Sequence, residues 1–285
     1  MRYETDVRIG PVGFRIGSDW RAPIRAVAEL YRDYPRAGVP DFTVRLCATR
    51  PWRRYVRPSV AIEGDYVLPE AAPLPLDHGL LAAEMGMNLQ MALGQRRFLL
   101  LHAACVERDG RALVLTGESG AGKSTLATLL AAEGWRLMGD EFALLEPETG
   151  LVHAFPRLVS LKNEAIEVAR IAWPDARWGP LLAGTPKGDI RHLVPDARAI
   201  AEMAEPAIPA LLLFPCYGEA ADVRAVAPSE AFVRLTQAST NYVALGERGF
   251  ATLRRLVQDV PVRAIDYADT DSGIALVERL WRELA

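Results

Sequence analysis

The first third of the chain alternates apolar and polar residues with the period of a β-strand. Between residues 5 and 16 the alternation continues on both sides of Gly10-Pro11, which predicts a β-hairpin with its turn at that pair. Its expected inward residues are Val7, Ile9, Val12, Phe14 and Ile16. A helix over residues 24–31 and strands over 41–47, 59–62 and 65–68 would complete a mixed α/β lobe.

From residue 77 to residue 97 the apolar spacing changes to three and four, which predicts a helix. Its methionines, Met85, Met87 and Met91, are expected in the core, where flexible thioethers fill gaps. Two strands follow, over residues 98–106 and 112–116. The Asp-Gly pair at 109–110 between them favours a tight hairpin.

The rest of the chain alternates predicted strands and helices, so the fold class is α/β. Strands are predicted at 135–138, 210–214, 223–226 and 262–267, and helices at 124–133, 229–237, 249–258 and 271–284. The last helix places Ile274, Val277, Leu280 and Trp281 on one face, which we expect to be core.

The proline-rich stretch 69–75 continues neither a helix nor a regular ladder, and is therefore the predicted linker. It divides the chain into an N-terminal mixed α/β lobe, residues 1–75, and a larger α/β domain, residues 76–285.

Composition excludes several classes of partner. The 285 residues are 50% hydrophobic and 24% charged, as in soluble globular proteins. A net charge of −3 gives no global positive field for nucleic acid or an anionic membrane, and no apolar run reaches membrane-spanning length. We expect a cytoplasmic protein with no nucleic-acid or membrane partner. Cys47, Cys105 and Cys216 are far apart and fit reduced thiols, Cys105 as a buried apolar residue.

The segment after the 112–116 strand fits the phosphate-binding pattern GxxxxGK[ST] at every fixed position. It lies between a predicted strand and a predicted helix, as this loop requires. Glycines let successive backbone N–H groups converge on phosphate oxygens, and the helix N-terminus adds a positive dipole end. In this pattern Lys123 contacts the β- and γ-phosphates, and the Ser124 hydroxyl binds Mg²⁺. The loop comprises Gly117, Glu118, Ser119, Gly120, Ala121, Gly122, Lys123 and Ser124.

An acidic pair, Asp140-Glu141, ends the next predicted strand. We expect that strand to lie beside the strand that leads into the loop, with its carboxylates at the same sheet edge. There they would hold Mg²⁺ or take a proton from an attacking hydroxyl. The alternative is that Asp140 begins a turn and Glu141 is merely solvated.

The loop, the acidic pair one helix later and His102 before the loop together resemble the HPr kinase/phosphorylase family over residues 98–150. Segments such as Phe155-Pro156-Arg157 and 160–163 are closest to the HPr kinase-related group called type A, which includes lasso peptide kinases. The resemblance implies a P-loop fold of the HPr kinase/phosphoenolpyruvate carboxykinase type. Glu141 stands where the family commonly carries aspartate.

By this resemblance Asp140 would be the general base, with His102 close to it and Lys123 on the transferred phosphate. Ser124, Asp140 and Glu141 would hold Mg²⁺. The predicted substrates are ATP and a serine hydroxyl of a peptide or protein, and the protein is expected to form a homo-oligomer. The predicted nucleotide-binding residues are Gly117, Glu118, Ser119, Gly120, Ala121, Gly122, Lys123, Ser124, Thr125, Arg157 and Lys187.

Arg157 and Lys187 are included because phosphoryl transfer needs a cation besides the loop lysine. Lys162 is a further candidate, and for each of these three a solvated surface charge is the alternative. The sequence leaves other functions open. The same loop serves an ATPase or nucleotide switch, a small-molecule kinase of the carboxykinase-like group, or a nucleotide-sensing module without catalysis.

Overall fold

The computed structural model describes residues 1–68 and 71–284 as a mixed α/β protein with several sheets. The strands are β1 (Tyr3–Ile9), β2 (Val12–Ser18), β3 (Phe42–Ala48), β4 (Ser59–Gly64), β5 (Leu74–Pro75), β6 (Leu99–Leu101), β7 (Ala103–Arg108), β8 (Arg111–Thr116), β9 (Arg136–Gly139), β10 (Ala143–Leu145), β11 (Val152–His153), β12 (Val159–Lys162), β13 (Trp178–Thr185), β14 (Gly188–Leu193), β15 (Ile208–Tyr217), β16 (Asp222–Ala225) and β17 (Val262–Tyr267). The helices are α1 (Arg21–Leu30), α2 (Gly79–Gly94), α3 (Lys123–Ala132), α4 (Glu164–Ala172), α5 (Ala197–Ala201), α6 (Pro228–Ala238), α7 (Tyr242–Leu245), α8 (Glu247–Asp259) and α9 (Thr270–Arg282).

The N-terminal hairpin is confirmed. β1 and β2 pair antiparallel with Val7 opposite Phe14, and the five expected inward residues are all buried. The hairpin begins a five-stranded sheet in the order β1-β2-β3-β4-β5. β2 and β3 run parallel because α1 crosses between them, and the other pairs are antiparallel.

The strand predicted at residues 65–68 is wrong, because β4 ends at Gly64. In this region, side chains rather than a neighbouring strand form the hydrogen bonds to backbone groups. The Asp65 carboxylate accepts from the Thr43 amide at 2.6 Å, and the Gln90 side chain bonds both backbone groups of Tyr66 at 2.9 Å. Of the predicted linker 69–75, residues 69 and 70 lie outside the described part, and Leu74–Pro75 forms the edge strand β5.

Helix α2 lies against the N-terminal sheet. Gly86 permits this close approach, since a Cβ there would stand 2.4 Å from Val44 Cγ1. Met87 and Met91 are fully buried, as predicted, whereas Met85 is 45% exposed. The division of the chain at residue 75 stays a prediction, and α2 shares a hydrophobic core with the lobe before it.

The central sheet has six strands in the order β16-β17-β15-β8-β7-β9, with β17, β15 and β8 parallel. Alternate residues of β7 and β8 are buried on opposite faces. One face packs against α3 and α9, with Val277, Leu280 and Trp281 buried as expected. The other packs against α6 and α8, so this region has helices on both faces.

The predicted hairpin between residues 98 and 116 is confirmed at its turn and wrong at its start. Asp109 and Gly110 both have positive φ, +55° and +74°, and join β7 to β8. The first strand, however, breaks at His102, whose N–H donates to Ala238 O at 2.8 Å. Residues before the break form β6, which belongs to a separate sheet, β11-β10-β6.

The region from 143 to 201 contains elements that the sequence pattern did not predict, including α4, α5 and the β13–β14 hairpin. That hairpin pairs with β12 in a three-stranded sheet, β12-β14-β13. Cys105 is buried as expected, and the structure forms no disulfide among Cys47, Cys105 and Cys216. Within residues 1–68 and 71–284, none of the helices is both apolar enough and long enough to cross a bilayer.

Asn241 fixes the entry of the chain into the central region. Its buried side chain accepts from Leu100 N at 2.9 Å and donates to Gln95 O and Phe98 O at 3.0 and 2.9 Å. One amide therefore satisfies three backbone groups of the connection between α2 and β6. Truncating it would leave those groups without partners inside the protein.

We expect Asn241→Ala to lower the free energy of unfolding by about 2–4 kcal/mol, since three buried hydrogen bonds are lost. Urea unfolding followed by circular dichroism measures it. The control is Thr240→Ala at the exposed neighbouring position, expected to change stability by less than about 0.5 kcal/mol. Equal effects of the two substitutions would contradict this role for Asn241.

Candidate active site

The candidate site forms at one edge of the central sheet, and strand β7 determines its position. β7 pairs antiparallel with β8 on one side and with β9 on the other. β8 and β9 therefore point the same way, and both end where β7 begins. The loop that follows β8, the Asp140-Glu141 pair that follows β9 and His102, which precedes β7, meet at this edge.

The expectation that β9 lies beside the loop strand is wrong, because β7 separates them. The Asp109-Gly110 turn places β7 on one edge of β8, and β15 takes the other edge. The shared edge is kept nevertheless, because two strands that both run antiparallel to a third are parallel to each other.

The predicted phosphate-binding loop forms the β8–α3 connection. Gly117, Gly120 and Gly122 adopt positive φ of 145°, 89° and 91°, which side-chain-bearing residues rarely adopt. A Cβ at Gly122 would also lie 2.3 Å from the Tyr267 hydroxyl. The loop is open to solvent at residues 118–120, while Lys123, Ser124 and Thr125 form the first turn of α3.

Lys123 is buried, and its Nζ donates to the carbonyl oxygens of Gly117 and Glu118 at 2.8 and 2.7 Å. Burial lowers the pKa of Lys123, while the negative charges of Asp140 and Glu141 raise it. The lysine is thus held inside the loop and within electrostatic range of both acidic residues.

Asp140 is a buried carboxyl with incomplete hydrogen bonding. Oδ2 accepts from the Ser160 N–H at 3.3 Å, whereas Oδ1 has no hydrogen-bond partner among the described residues. Burial and, to a lesser extent, the charge of Glu141 raise the pKa of Asp140 to about 6, while the nearby side chain of Ser124 opposes the rise. The preceding residue, Gly139, leaves no room for a side chain, since a Cβ would stand 2.9 Å from Phe142 O.

His102 faces the second acidic residue, with Nδ1 3.6 Å from Glu141 Oε2. Burial lowers the pKa of His102, the Glu141 carboxylate raises it, and the charges of Lys123 and Lys162 lower it. His102 therefore lies among the loop lysine, Glu141 and Lys162.

Lys162, the last residue of β12, lies close enough to three site residues for its charge to affect them, which the sequence did not indicate. Its positive charge lowers the pKa values of Asp140, Lys123 and His102. The β12 strand also contributes the Ser160 N–H that binds Asp140. One feature of the sequence could have identified Lys162. The chain contains many arginines but only three lysines, which are Lys123, Lys162 and Lys187.

Arg157 has a different environment from the one predicted. Its guanidinium is buried, forms an ion pair with the Glu84 carboxylate and also bonds Glu84 O and the Asn88 side chain. These partners belong to α2, so Arg157 links that helix to the segment before β12. The two terminal nitrogens of Arg157 bond α2, and a phosphate contact by this residue stays a prediction.

A cavity of about 180 Å³ adjoins the acidic pair. Its lining includes Glu141, Ser160, Lys162 and the exposed Lys187, which lies in the β13–β14 turn. The remaining lining residues are Leu74, Leu81, Glu84, Met85, Asn88, Arg157, Leu158, Thr185, Pro186, Ile190 and His192. Both lysines outside the loop thus face one cavity beside Asp140.

The residues present fit a magnesium ion bound together with phosphates. The unpartnered Oδ1 of Asp140 and the Ser124 side chain are oxygen donors close to each other, and Glu141 is a second carboxylate nearby. Mg²⁺ takes few protein ligands when phosphates and water supply the rest. Among the described residues, no cluster of three or more His, Cys, Asp or Glu side chains forms a metal site.

Comparisons with known proteins give two findings. The model of a family described as "SynChlorMet cassette protein ScmC" matches residues 80–169, less than half of the chain, and this stretch includes the loop and the acidic pair. Among solved structures, the chain is similar to the Hpr(Ser) kinase/phosphatase from Coxiella burnetii, with 14% identity and a TM-score of 0.28. That match covers 65% of this chain and 98% of the other. No curated protein matches.

A TM-score this low marks poor overall superposition, so the family relationship inferred from the motifs stays a prediction.

The raised pKa of Asp140 predicts a pH-dependent effect of Asp140→Asn on the metal-free protein. Above pH 6 the folded state holds an unfavourable buried charge, whereas below pH 4 the carboxyl is neutral in both states. Asp140→Asn should therefore raise the free energy of unfolding by about 1–3 kcal/mol more at pH 8 than at pH 4.

Urea unfolding at the two pH values, with chelator present, measures this difference. Asp259→Asn, at an exposed position at the end of α8, is the matched control and should give the same small change at both. A pH-independent effect of Asp140→Asn would contradict a raised pKa.

Proposed function

We propose that this protein is an ATP- and Mg²⁺-dependent kinase that transfers the γ-phosphoryl group to a serine-type hydroxyl of a peptide or protein. The observation that carries the proposal is the position of Asp140: a buried carboxylate with an open Oδ1 and a raised pKa, at the sheet edge that also carries the phosphate-binding loop. A loop that only binds or hydrolyses a nucleotide does not by itself require such a base.

The loop is the proposed binding site of the ATP phosphates. Its positive-φ glycines leave backbone N–H groups free to converge on phosphate oxygens, and the N-terminus of α3 points into the same space. Lys123 Nζ would exchange its two loop carbonyls for oxygens of the β- and γ-phosphates, which are stronger, charged acceptors.

Ser124 and Asp140, with Glu141 close by, are the residues proposed to hold Mg²⁺. The bound ion would neutralise charge on the phosphates. Binding at the open Oδ1 of Asp140 would leave Oδ2, with its Ser160 contact, directed as it is now.

In the proposed transfer the acceptor oxygen attacks the γ-phosphorus while the bond from that phosphorus to the bridging oxygen of the β-phosphate breaks, releasing ADP. Asp140 is the proposed acceptor of the proton that the hydroxyl loses, through Oδ2, since Oδ1 is the proposed metal ligand. His102 and Glu141 flank this base and set the local charge.

Lys162 is the proposed second cation. Its charge acts on Asp140, Lys123 and His102 at once, so it stands near the position that the transferred group would occupy. A fixed positive charge there stabilises the charge that develops during transfer. We therefore rank Lys162 ahead of Arg157 and Lys187 for this role, and phosphate contacts by those two residues stay predictions.

The cavity of about 180 Å³ is the proposed entry of the acceptor hydroxyl, because Glu141, Ser160 and Lys162 form its wall on the Asp140 side. It is small enough to take one side chain rather than a folded surface. A peptide acceptor is favoured further by the resemblance of the motifs to kinases of peptide-maturation clusters.

Incubation with γ-labelled ATP, Mg²⁺ and a library of serine-containing peptides tests the proposal. We expect label on peptide, with Asp140→Asn reducing the transfer rate by about 10²- to 10³-fold while the Kd for nucleotide changes less than about threefold. Lys123→Ala should weaken nucleotide binding itself by about tenfold or more.

Asp259→Asn is again the matched control, and its transfer rate should equal that of the wild type. Label found only as free phosphate would exclude a kinase in favour of an ATPase. Undiminished transfer by Asp140→Asn would show that Asp140 is not the base.

Lys162→Ala should lower the kcat for transfer by about 10- to 100-fold without a matching change in nucleotide affinity, since its charge acts on the transferred group. Lys162→Arg, which keeps the charge, should recover part of the rate. Steady-state kinetics and nucleotide titration measure both quantities. A Lys162→Ala enzyme with normal kcat would remove Lys162 from the mechanism.

A further inference from the structure

The segment between β3 and β4 contains a concentrated group of arginines and exposed apolar side chains, which we call the arginine loop (residues 50–57). The arginines are Arg50, Arg53, Arg54 and Arg57, in a chain whose net charge is −3. Trp52, Tyr55 and Val56 between them are 48%, 75% and 58% exposed. In the described part of the chain, none of these four arginines has an acidic side chain within 4 Å.

Asp19, the acidic residue close to the arginine loop, is engaged elsewhere. Its carboxylate accepts from the Ala48 N–H at 3.1 Å, and Arg54 donates to its backbone oxygen at 2.8 Å instead. Arginine side chains lie over the aromatic rings, with Arg53 4.5 Å from the centre of Trp52. The result is a cationic and aromatic surface whose guanidinium groups form no ion pair with the described acidic side chains.

The arginine loop is held in a defined conformation. The Trp20 indole donates to Arg54 O at 2.9 Å, Arg53 donates to Arg57 O at 3.1 Å, and the first turn is a 3-10 helix begun by Pro51. An ordered loop loses little conformational entropy when a partner binds.

The base of the arginine loop also adjoins the wall of the cavity. The hydroxyls of Thr49 and Ser59 meet at 2.8 Å and close the loop, and Ser59 pairs with Pro75 of β5. The neighbouring residue of β5, Leu74, lines the cavity beside Asp140. A polypeptide with a side chain in the cavity therefore has the arginine loop within reach.

We infer that the arginine loop binds an acidic segment of the polypeptide whose hydroxyl enters the cavity. This assignment rests on the proposed kinase function for the identity of the partner. Carboxylates match unpaired guanidinium groups bidentately, and apolar side chains of the segment cover Trp52, Tyr55 and Val56. The continuity with the cavity favours a peptide over nucleic acid or a membrane, each of which the same surface charge would also attract.

Fluorescence anisotropy with the full chain tests the assignment. The probe is a labelled dodecapeptide of alternating Glu and Leu, compared with the same peptide carrying Gln for Glu. We expect the acidic peptide to bind at least tenfold tighter, and its affinity to fall as NaCl rises from 50 to 300 mM. Equal affinity for the two peptides would overturn the proposal.

The variant R50A/R53A/R57A, which spares the anchoring Arg54, should bind the acidic peptide at least tenfold more weakly, while R50K/R53K/R57K retains most of the affinity. The matched control, R36A/R254A/R282A, removes three exposed arginines elsewhere and should bind within twofold of the wild type. Melting curves verify that each variant folds. Undiminished binding by the alanine variant would also overturn the assignment.

Two further arms separate the alternatives. Tighter binding of a 20-base-pair DNA duplex or of phosphatidylserine vesicles than of the acidic peptide, lost in the alanine variant, would reassign the surface and overturn the peptide assignment. Peptide binding and phosphoryl transfer are measured separately, so failure of the acidic-segment proposal can be distinguished from failure of the proposed kinase function. Binding without any phosphoryl transfer counts against the kinase, and transfer without binding at this loop counts against the acidic segment.

Discussion

The antiparallel placement of β7 between β8 and β9 is the constraint on which the candidate site depends. Because both neighbours run opposite to β7, their ends meet at one edge, and this brings together a loop from one strand, Asp140 from another and His102 from the break before β7. The break itself depends on the His102 N–H, which bonds Ala238 instead of continuing the strand. The sheet pairing thus places a buried carboxyl and its flanking charges beside the proposed phosphate-binding loop.

Burial at that edge of the sheet shifts the pKa values of Asp140 and Lys123. Asp140 loses solvent without gaining a full set of hydrogen bonds, so its pKa rises, whereas Lys123 loses solvent and its pKa falls. Both shifts favour the neutral forms of the two side chains over their charged forms. A cation beside Asp140, or an anion beside Lys123, would stabilise the charged form instead. Nucleotide phosphates and Mg²⁺ would supply the opposite charges for these two groups, which is the physical basis of the proposed function.

Local patterns were sufficient for much of this arrangement. The 3–9 and 12–18 hairpin, the Asp109-Gly110 turn and the loop with its following helix depend on alternation, turn residues and glycine spacing, which the sequence displays directly. Local patterns do not predict which residues surround Arg157 and Lys162. Glu84 reaches Arg157 across 73 positions, and Lys162 belongs to a different sheet from β9, where the Ser160 N–H holds its strand against the Asp140 carboxylate. The break at His102 likewise follows from one tertiary hydrogen bond that no local signal marks.

Carbon-13 NMR of aspartate-labelled protein observes the ionisation of Asp140 itself, with Asp140→Asn used to assign the carboxyl resonance. We expect Asp140 to titrate near pH 6 in the metal-free protein, and Mg²⁺ with a non-hydrolysable ATP analogue to shift this resonance in the wild type but much less in Lys123→Ala. Titration at the ordinary aspartate value near 4, with no response to nucleotide and metal, would contradict this expectation.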